Sequence, residues 1–235
     1  MRSEISIQPA AEASDASTAS PTKWTRALLA GGVVAGPLYV VVGLAQAVTR
    51  SGFDLSRQEL SLLANGPLGW IQIANLVVSG LMVVACAVGL RKVLYPGRGG
   101  VWGPRLVGAY GVGLVGAAVF VADPANGFPP GTPAGPPVHP SWHGSLHFVA
   151  AGLGFLALIA ACFVVARRFA AGGQRGWSAY SVATGVLYLA AFAGIASGSG
   201  NRVANVAFGV AVALGWAWLG ALAARLAAGL PGARG

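Results

Sequence analysis

The residues whose types and spacing could do chemistry lie in one short stretch, His139-Pro-Ser-Trp-His143-Gly-Ser-Leu-His147. On a helix, His143 and His147 are one turn apart on the same face. That spacing lets two imidazoles reach one Zn²⁺ or another divalent transition metal. Pro140 and Ser141 mark the start of a helix, which leaves His139 as an optional third ligand from the preceding loop. Asp123 is a candidate ligand or general base, or a hydrogen-bond partner that orients an imidazole from behind. Such a set, with one coordination position left for water, is what a hydrolytic metal site requires. A second reading needs no metal: the same stretch caps a helix, and Asp123 caps or pairs with Arg50, Arg57 or Arg202. The histidine pair also lacks the glutamate of the H-E-x-x-H zinc motif.

A further group of polar residues falls at helical spacing within apolar sequence. Gln72, Asn75 and Ser79 form one row, Ser181, Thr184 and Tyr188 another, and Asn201, Arg202 and Asn205 begin a third segment. Polar groups are costly against lipid and turn toward a bundle interior. Taken singly, each reads as an interhelical hydrogen bond. Together with Asp123 and His147 they predict a polar cavity opening outward.

The elements that position these residues are six apolar stretches at roughly 27–48, 68–90, 105–122, 144–166, 177–197 and 204–226. About 20 helical residues cross a hydrocarbon layer about 30 Å thick. Hydrophobic residues make up 55% of the 235 and charged residues 9%, which excludes an ordinary water-facing globule. The expectation is an all-α, polytopic membrane protein: a bundle of six transmembrane helices at 23–228. A disordered cytoplasmic tail at 1–22 and a short cytoplasmic tail at 229–235 flank it. Small-x-small Ala45-Gln46-Ala47 resembles a cleavage site, but the long polar leader favours an uncleaved first span.

Basic residues set the orientation. With the N-terminus inside, twelve Lys and Arg fall on inner segments, and only Arg50, Arg57 and Arg202 fall outside. Both termini are therefore expected in the cytoplasm, the three histidines and Asp54, Glu59 and Asp123 on the outer side, and the chain in the bacterial cytoplasmic membrane. The net charge of +9 is dispersed over segment ends, so it predicts attraction to anionic lipid and no nucleic-acid partner. The tryptophans are expected to form an interfacial belt, with Trp216 and Trp218 toward its inner edge. Cys86 and Cys162 are expected to be packing residues. Gly32-x-x-x-Gly36 offers a close helix contact, by default within the monomer. The sequence leaves the oligomeric state open.

Other chemistries lack their parts. All three histidines fall within nine residues, a poor arrangement for haem ligation from facing helices. No nucleophile elbow or phosphate loop is present, and no span carries a mid-membrane acid or base for proton relay.

Three motifs in order carry a family resemblance. They are Arg50-x-Gly-Phe-Asp54 through Leu60-Ser61-Leu62-Leu63 to Gly69-Trp70-Ile71-Gln72; Val119-Phe120-x-x-Asp123-Pro124-x-x-Gly127-Phe128-Pro129-x-Gly131; and Ser141-Trp142-His143-x-x-x-His147. The chain resembles the prokaryotic membrane family called domain of unknown function 998, over roughly residues 27–226. The resemblance implies a multi-helix membrane protein with no assigned activity. Members carry a histidine after the arginine matching Arg57, where this chain has Gln58. Two functions are carried forward. The first is a non-catalytic membrane protein binding a small molecule, lipid or partner in the outward pocket. The alternative is a metal-dependent hydrolase of a lipid or amphiphile at the outer leaflet.

Overall fold

The computed structural model describes residues 21–197 and 201–231. Most of the expected N-terminal tail (1–20) and the end of the C-terminal one (232–235) lie outside the described residues. Six α-helices run through the described residues: α1 (Pro21–Thr49), α2 (Gly69–Leu94), α3 (Trp102–Val119), α4 (Trp142–Ala171), α5 (Arg175–Ala196) and α6 (Arg202–Ala228). No strand is formed among the described residues, apart from one isolated bridge between Ala125 and Phe128. Each helix packs on its sequence neighbour, and α6 returns to α1, so the six close into a ring.

Long apolar runs dictate helices here because a chain in hydrocarbon must satisfy its own backbone groups. Large apolar side chains are left exposed along every helix, among them Val41, Leu81, Val112, Leu153, Leu187 and Val210. Lipid is the solvent that such surfaces fit. Five helices are long and apolar enough to cross a membrane; α3 is the exception. It has 18 residues, includes Arg105 and five glycines, and is flanked by α2 and α4. Glycine lets it come unusually close to both. The backbones of Gly80 and Gly111 touch so closely that a Cβ on either would lie 2.7 Å from the other's carbonyl oxygen. A helix buried this far between neighbours needs less apolar surface of its own. In α1, Gly32 and Gly36 pack against Cys86, Ala223 and Trp216 of the same chain, so that glycine motif serves contacts inside the monomer.

Aromatic rings fill the ring's interior. Tyr39 of α1 lies 5.3 Å from Trp216 of α6, which lies 5.4 Å from Tyr110 of α3. Phe155 of α4 continues the chain to Phe208 at 5.3 Å and Tyr188 at 5.8 Å. Trp24, Trp70, Trp102 and Trp142 are exposed near helix ends, as an interfacial belt requires. Trp216 and Trp218 are corrections to that expectation: both are buried in the core, and Trp218 Nε1 donates to Ser181 Oγ. Trp218 finds a polar partner inside the bundle, whereas the Trp216 indole N–H has none and its ring is held by stacking on Tyr39 and Tyr110. Cys86 and Cys162 are buried free thiols.

The two ends of the ring differ. At one end, connectors 50–68 and 120–141 fold together into a lid. At the other, among the described residues, every charged side chain is Lys or Arg.

Candidate functional site

The lid has its own small core. Leu62 and Leu63, in the one-turn helix Leu60–Ala64, pack with Ala47, Ala122, Ala125 and Phe128. Phe53 meets Phe128 edge to face at 5.1 Å. Arg50 ties the first connector down. Its guanidinium donates to the carbonyls of Leu63 and Asn65 and lies 4.9 Å above the Phe128 ring. Asn126 and Gly127 both take positive φ, which makes the tight turn that an Asn-Gly pair favours. That turn presents the Asn126 carbonyl to Gln58 Nε2 at 2.8 Å. Asn205 of α6 reaches back to the Leu55 and Gln58 carbonyls. Gln58 thus holds the two connectors together. Among the sequence-predicted pocket residues, Arg202 stays on the surface, with Asp54 at 3.6 Å. The Ser56 hydroxyl and amide, with help from Arg202 and Arg57, hold the Asp54 carboxyl below the usual range. Burial pushes the Glu59 carboxyl up.

Asp123 and the histidines form a latch between the α3 end and the α4 start. Ser141 caps α4, accepting from Gly144 N–H at 3.0 Å. Asp123 then caps the cap: one carboxylate oxygen accepts from Ser141 N–H at 2.8 Å, the other from Ser141 Oγ at 2.6 Å. Gly144 sits flush against that carboxylate, where any Cβ would collide with it. His143 Nδ1–H donates to the Val121 carbonyl at 2.9 Å, with Nε2 4.0 Å from Asp123. His147 Nδ1–H is shared between the carbonyls of Ala117 and Phe120, each at 2.9 Å. These carbonyls at the end of α3 have no helical successor to bond, and the imidazoles fill that role.

The expected metal set of His143, His147, His139 and Asp123 is not assembled. No three His, Cys, Asp or Glu side chains converge on a common point among the described residues. The physical reason lies in the partners. Both Asp123 oxygens are taken by Ser141, and His139 is exposed in the loop. Donation from Nδ1–H to a carbonyl is also how a ligating histidine is oriented, so the missing part is the third donor.

As a general base, Asp123 is badly placed, because both its oxygens already accept from Ser141. The Ser141 hydroxyl above all, then the Ser141 amide and His143, hold its carboxyl below the usual carboxylate range. It is ionised at neutral pH and acts as an acceptor. Because its folded pKa lies below the unfolded value, its contribution to stability is full above about pH 4 and is lost as pH falls through the lowered value. Thermal melts in detergent across pH 3–7 should therefore show Asp123→Asn destabilised at neutral pH and less sensitive to acid than wild type. Parallel curves for the two proteins would contradict the latch.

Gln72 and Asn75 meet beneath the lid between α1 and α2. Gln46 Nε2 of α1 donates to Gln72 Oε1 of α2 at 2.9 Å, and Asn75 Nδ2 donates to the same oxygen at 3.2 Å. Asn75 Nδ2 also reaches the Tyr39 carbonyl. All three amides are buried, and each keeps one atom without a partner: Gln46 Oε1, Gln72 Nε2 and Asn75 Oδ1. Ser79 Oγ, one turn further along α2, is buried and unpartnered as well. No hydrogen bond or ion pair joins these amides to the Asp123 latch among the described residues. On α5, Ser181 and Thr184 bond back to their own helix, while the Tyr188 hydroxyl is left unpartnered. Sequence reasoning missed Gln46, which lies on the face of α1 turned toward α2. The Asn-Gly turn was a readable signal for the lid.

No curated protein and no solved structure matches the chain. The motif residues that carried the resemblance (Arg50, Phe53, Asp54, Asp123, Phe128, Ser141, His143 and His147) are those that build the lid and the latch. Over residues 33–225 the chain matches the family model described as Protein of unknown function (DUF998), and it belongs to that family.

Proposed function

We propose that this chain is a six-span protein of the cytoplasmic membrane, with both termini inside and the lid outside. In this reading it binds an uncharged, hydrogen-bonding molecule, a lipid headgroup or small amphiphile, in the outward half of the bundle. The observation that carries it is the amide cluster of Gln46, Gln72 and Asn75, with three buried polar atoms left unpartnered in an apolar bundle. Such atoms cost about 1–3 kcal/mol each unless something bonds them. Two free acceptors and one free donor complement a group such as a hydroxyl or amide. A charged ligand fits poorly, since no charged side chain bonds to the cluster among the described residues.

α3 counts as the sixth span in this reading despite its lower hydropathy. Its 18 residues rise about 27 Å, and its glycines seat it between two spanning neighbours. The Lys and Arg of the arginine-rich end support an inward-facing assignment for it.

Extraction of protein purified in a mild, non-ionic detergent tests the ligand. About one uncharged polar amphiphile per chain, identified by mass spectrometry, is the expected result. An extract containing only bulk phospholipid in its membrane proportions would contradict it, leaving ordered water as the partner of these atoms.

A further inference from the structure

At the arginine-rich end, a cleft of about 430 Å³ opens between the start of α5 and the end of α6, lined by Gln174, Arg175, Gly176, Trp177, Tyr180 and Arg225. Its two arginines are in different situations. Arg225 is fixed: its guanidinium lies 4.8 Å from the Trp177 ring and 5.7 Å from Phe169, and donates to Gln174 Oε1 at 2.6 Å. The Arg175 side chain is exposed and makes no hydrogen bond or ion pair among the described residues. Gln174, engaged with Arg225, does not cap α5, so the first turn of that helix has no side-chain acceptor from its N-cap.

A second cleft, of about 680 Å³, shares Arg175 and follows α5 past Ser178, Ala179, Val182 and Ala183 to Val186. From Arg175 to Val186 the helix rises about 16 Å. Small side chains along this row leave a shallow apolar groove on a surface that faces lipid. Charge completes the picture. The described carboxylates, Asp54, Glu59 and Asp123, all lie at the lid end, so none neutralises Arg175.

We propose that these two clefts are one site for an anionic phospholipid, its phosphate between Arg175 and Arg225 and one acyl chain along the α5 groove. A basic pocket between spans at the cytoplasmic surface is what recognises such headgroups. Trp177 and Tyr180 stand at the headgroup level beside it, where amphipathic rings are favoured. The apolar groove distinguishes a lipid from free phosphate, and the unpaired guanidinium distinguishes an anionic headgroup from a zwitterionic one. This site lies at the opposite end of the bundle from the amide cluster and does not depend on what that cluster binds.

Native mass spectrometry of the whole chain, titrated with phosphatidylglycerol or with phosphatidylcholine of the same acyl chains, tests it. Wild type should hold one phosphatidylglycerol preferentially. Arg175→Gln should weaken that binding about fivefold, the value of one basic side chain at an anionic surface. Its exposed, unengaged side chain makes misfolding no obstacle, and an unchanged melting temperature checks this. Ala183→Trp should weaken binding by filling the groove without altering charge. Arg98→Gln, also exposed and at the same end, should leave the preference intact. Equal binding of the two lipids would overturn the proposal. So would an equal loss from Arg98→Gln, since the attraction would then be diffuse, or displacement of the lipid by inorganic phosphate at millimolar concentration.

Discussion

Gly144→Val is expected to destabilise the protein by roughly 3 kcal/mol, through lost capping and charge-assisted hydrogen bonds at the start of α4. A side chain at this position occupies the place of the Asp123 carboxylate. The carboxylate must then leave, and with it go the bonds to Ser141 N–H and Ser141 Oγ. The α4 start loses its tie to the end of α3, and His143 loses its anionic neighbour. Valine at the exposed Ser145 places the same side chain one residue on without the collision, losing only the hydroxyl's bond to the Ser141 carbonyl, and should cost under about 1 kcal/mol. The two residues of the latch should also be strongly coupled. In an Asp123→Ala background, Gly144→Val should lose most of its effect, because the group it displaces is already gone. Additive losses in thermal melts would show that Gly144 matters for some reason other than the carboxylate.

That latch shows where sequence reading succeeded and where it stopped. The six helices were legible because hydrophobic length is a local property: the stretch 144–166 lies within Trp142–Ala171, and 68–90 nearly coincides with Gly69–Leu94. The nearness of Asp123 to His143 was also legible, since both close the same end of the bundle. Its partner Ser141 was not, and the arginines expected to pair with it lie elsewhere: Arg50 on backbone carbonyls, Arg57 and Arg202 beside Asp54. What sequence left open was which role the group takes. Metal ligation and capping use the same residue types, and the difference is whether the carboxylate oxygens are free or taken by Ser141. Gly144 reads as a mere spacer between two histidines until its contact with Asp123 is seen. The single outward pocket expected from Asp123, His147, Gln72 and Asn75 is instead divided between two places in the ring. Spacing shows which face of a helix is polar but not which neighbour that face meets, and the ring order puts Gln72 against α1 and His147 against α3.

Gln72→Leu is the second change with a large expected effect, on binding more than on stability. Gln72 supplies the oxygen that both Gln46 and Asn75 donate to, and a free Nε2–H of its own. Leucine removes that donor and disperses the two acceptors, so retention of the uncharged ligand should fall at least about tenfold. The stability loss should stay near 1–2 kcal/mol, because interhelical hydrogen bonds in bundles contribute about that much at most, and leucine fills the space with apolar volume. Gln46 and Asn75 each keep a carbonyl partner, from Val42 and Tyr39. Extracts and melts of the same preparation separate the alternatives. A large melting loss with an unchanged extract would make the cluster an interhelical fastener only.

Both binding readings depend on which side of the membrane the lid faces. Cysteine labelling of intact cells with a membrane-impermeant maleimide tests this most directly, using Ala134→Cys in the lid and Ala171→Cys at the arginine-rich end. Both positions are exposed, and the native Cys86 and Cys162 are buried, which keeps the background low. Residue 134 should label in intact cells and residue 171 only after lysis. Labelling of residue 171 in intact cells, with residue 134 protected until lysis, would contradict an outward-facing lid.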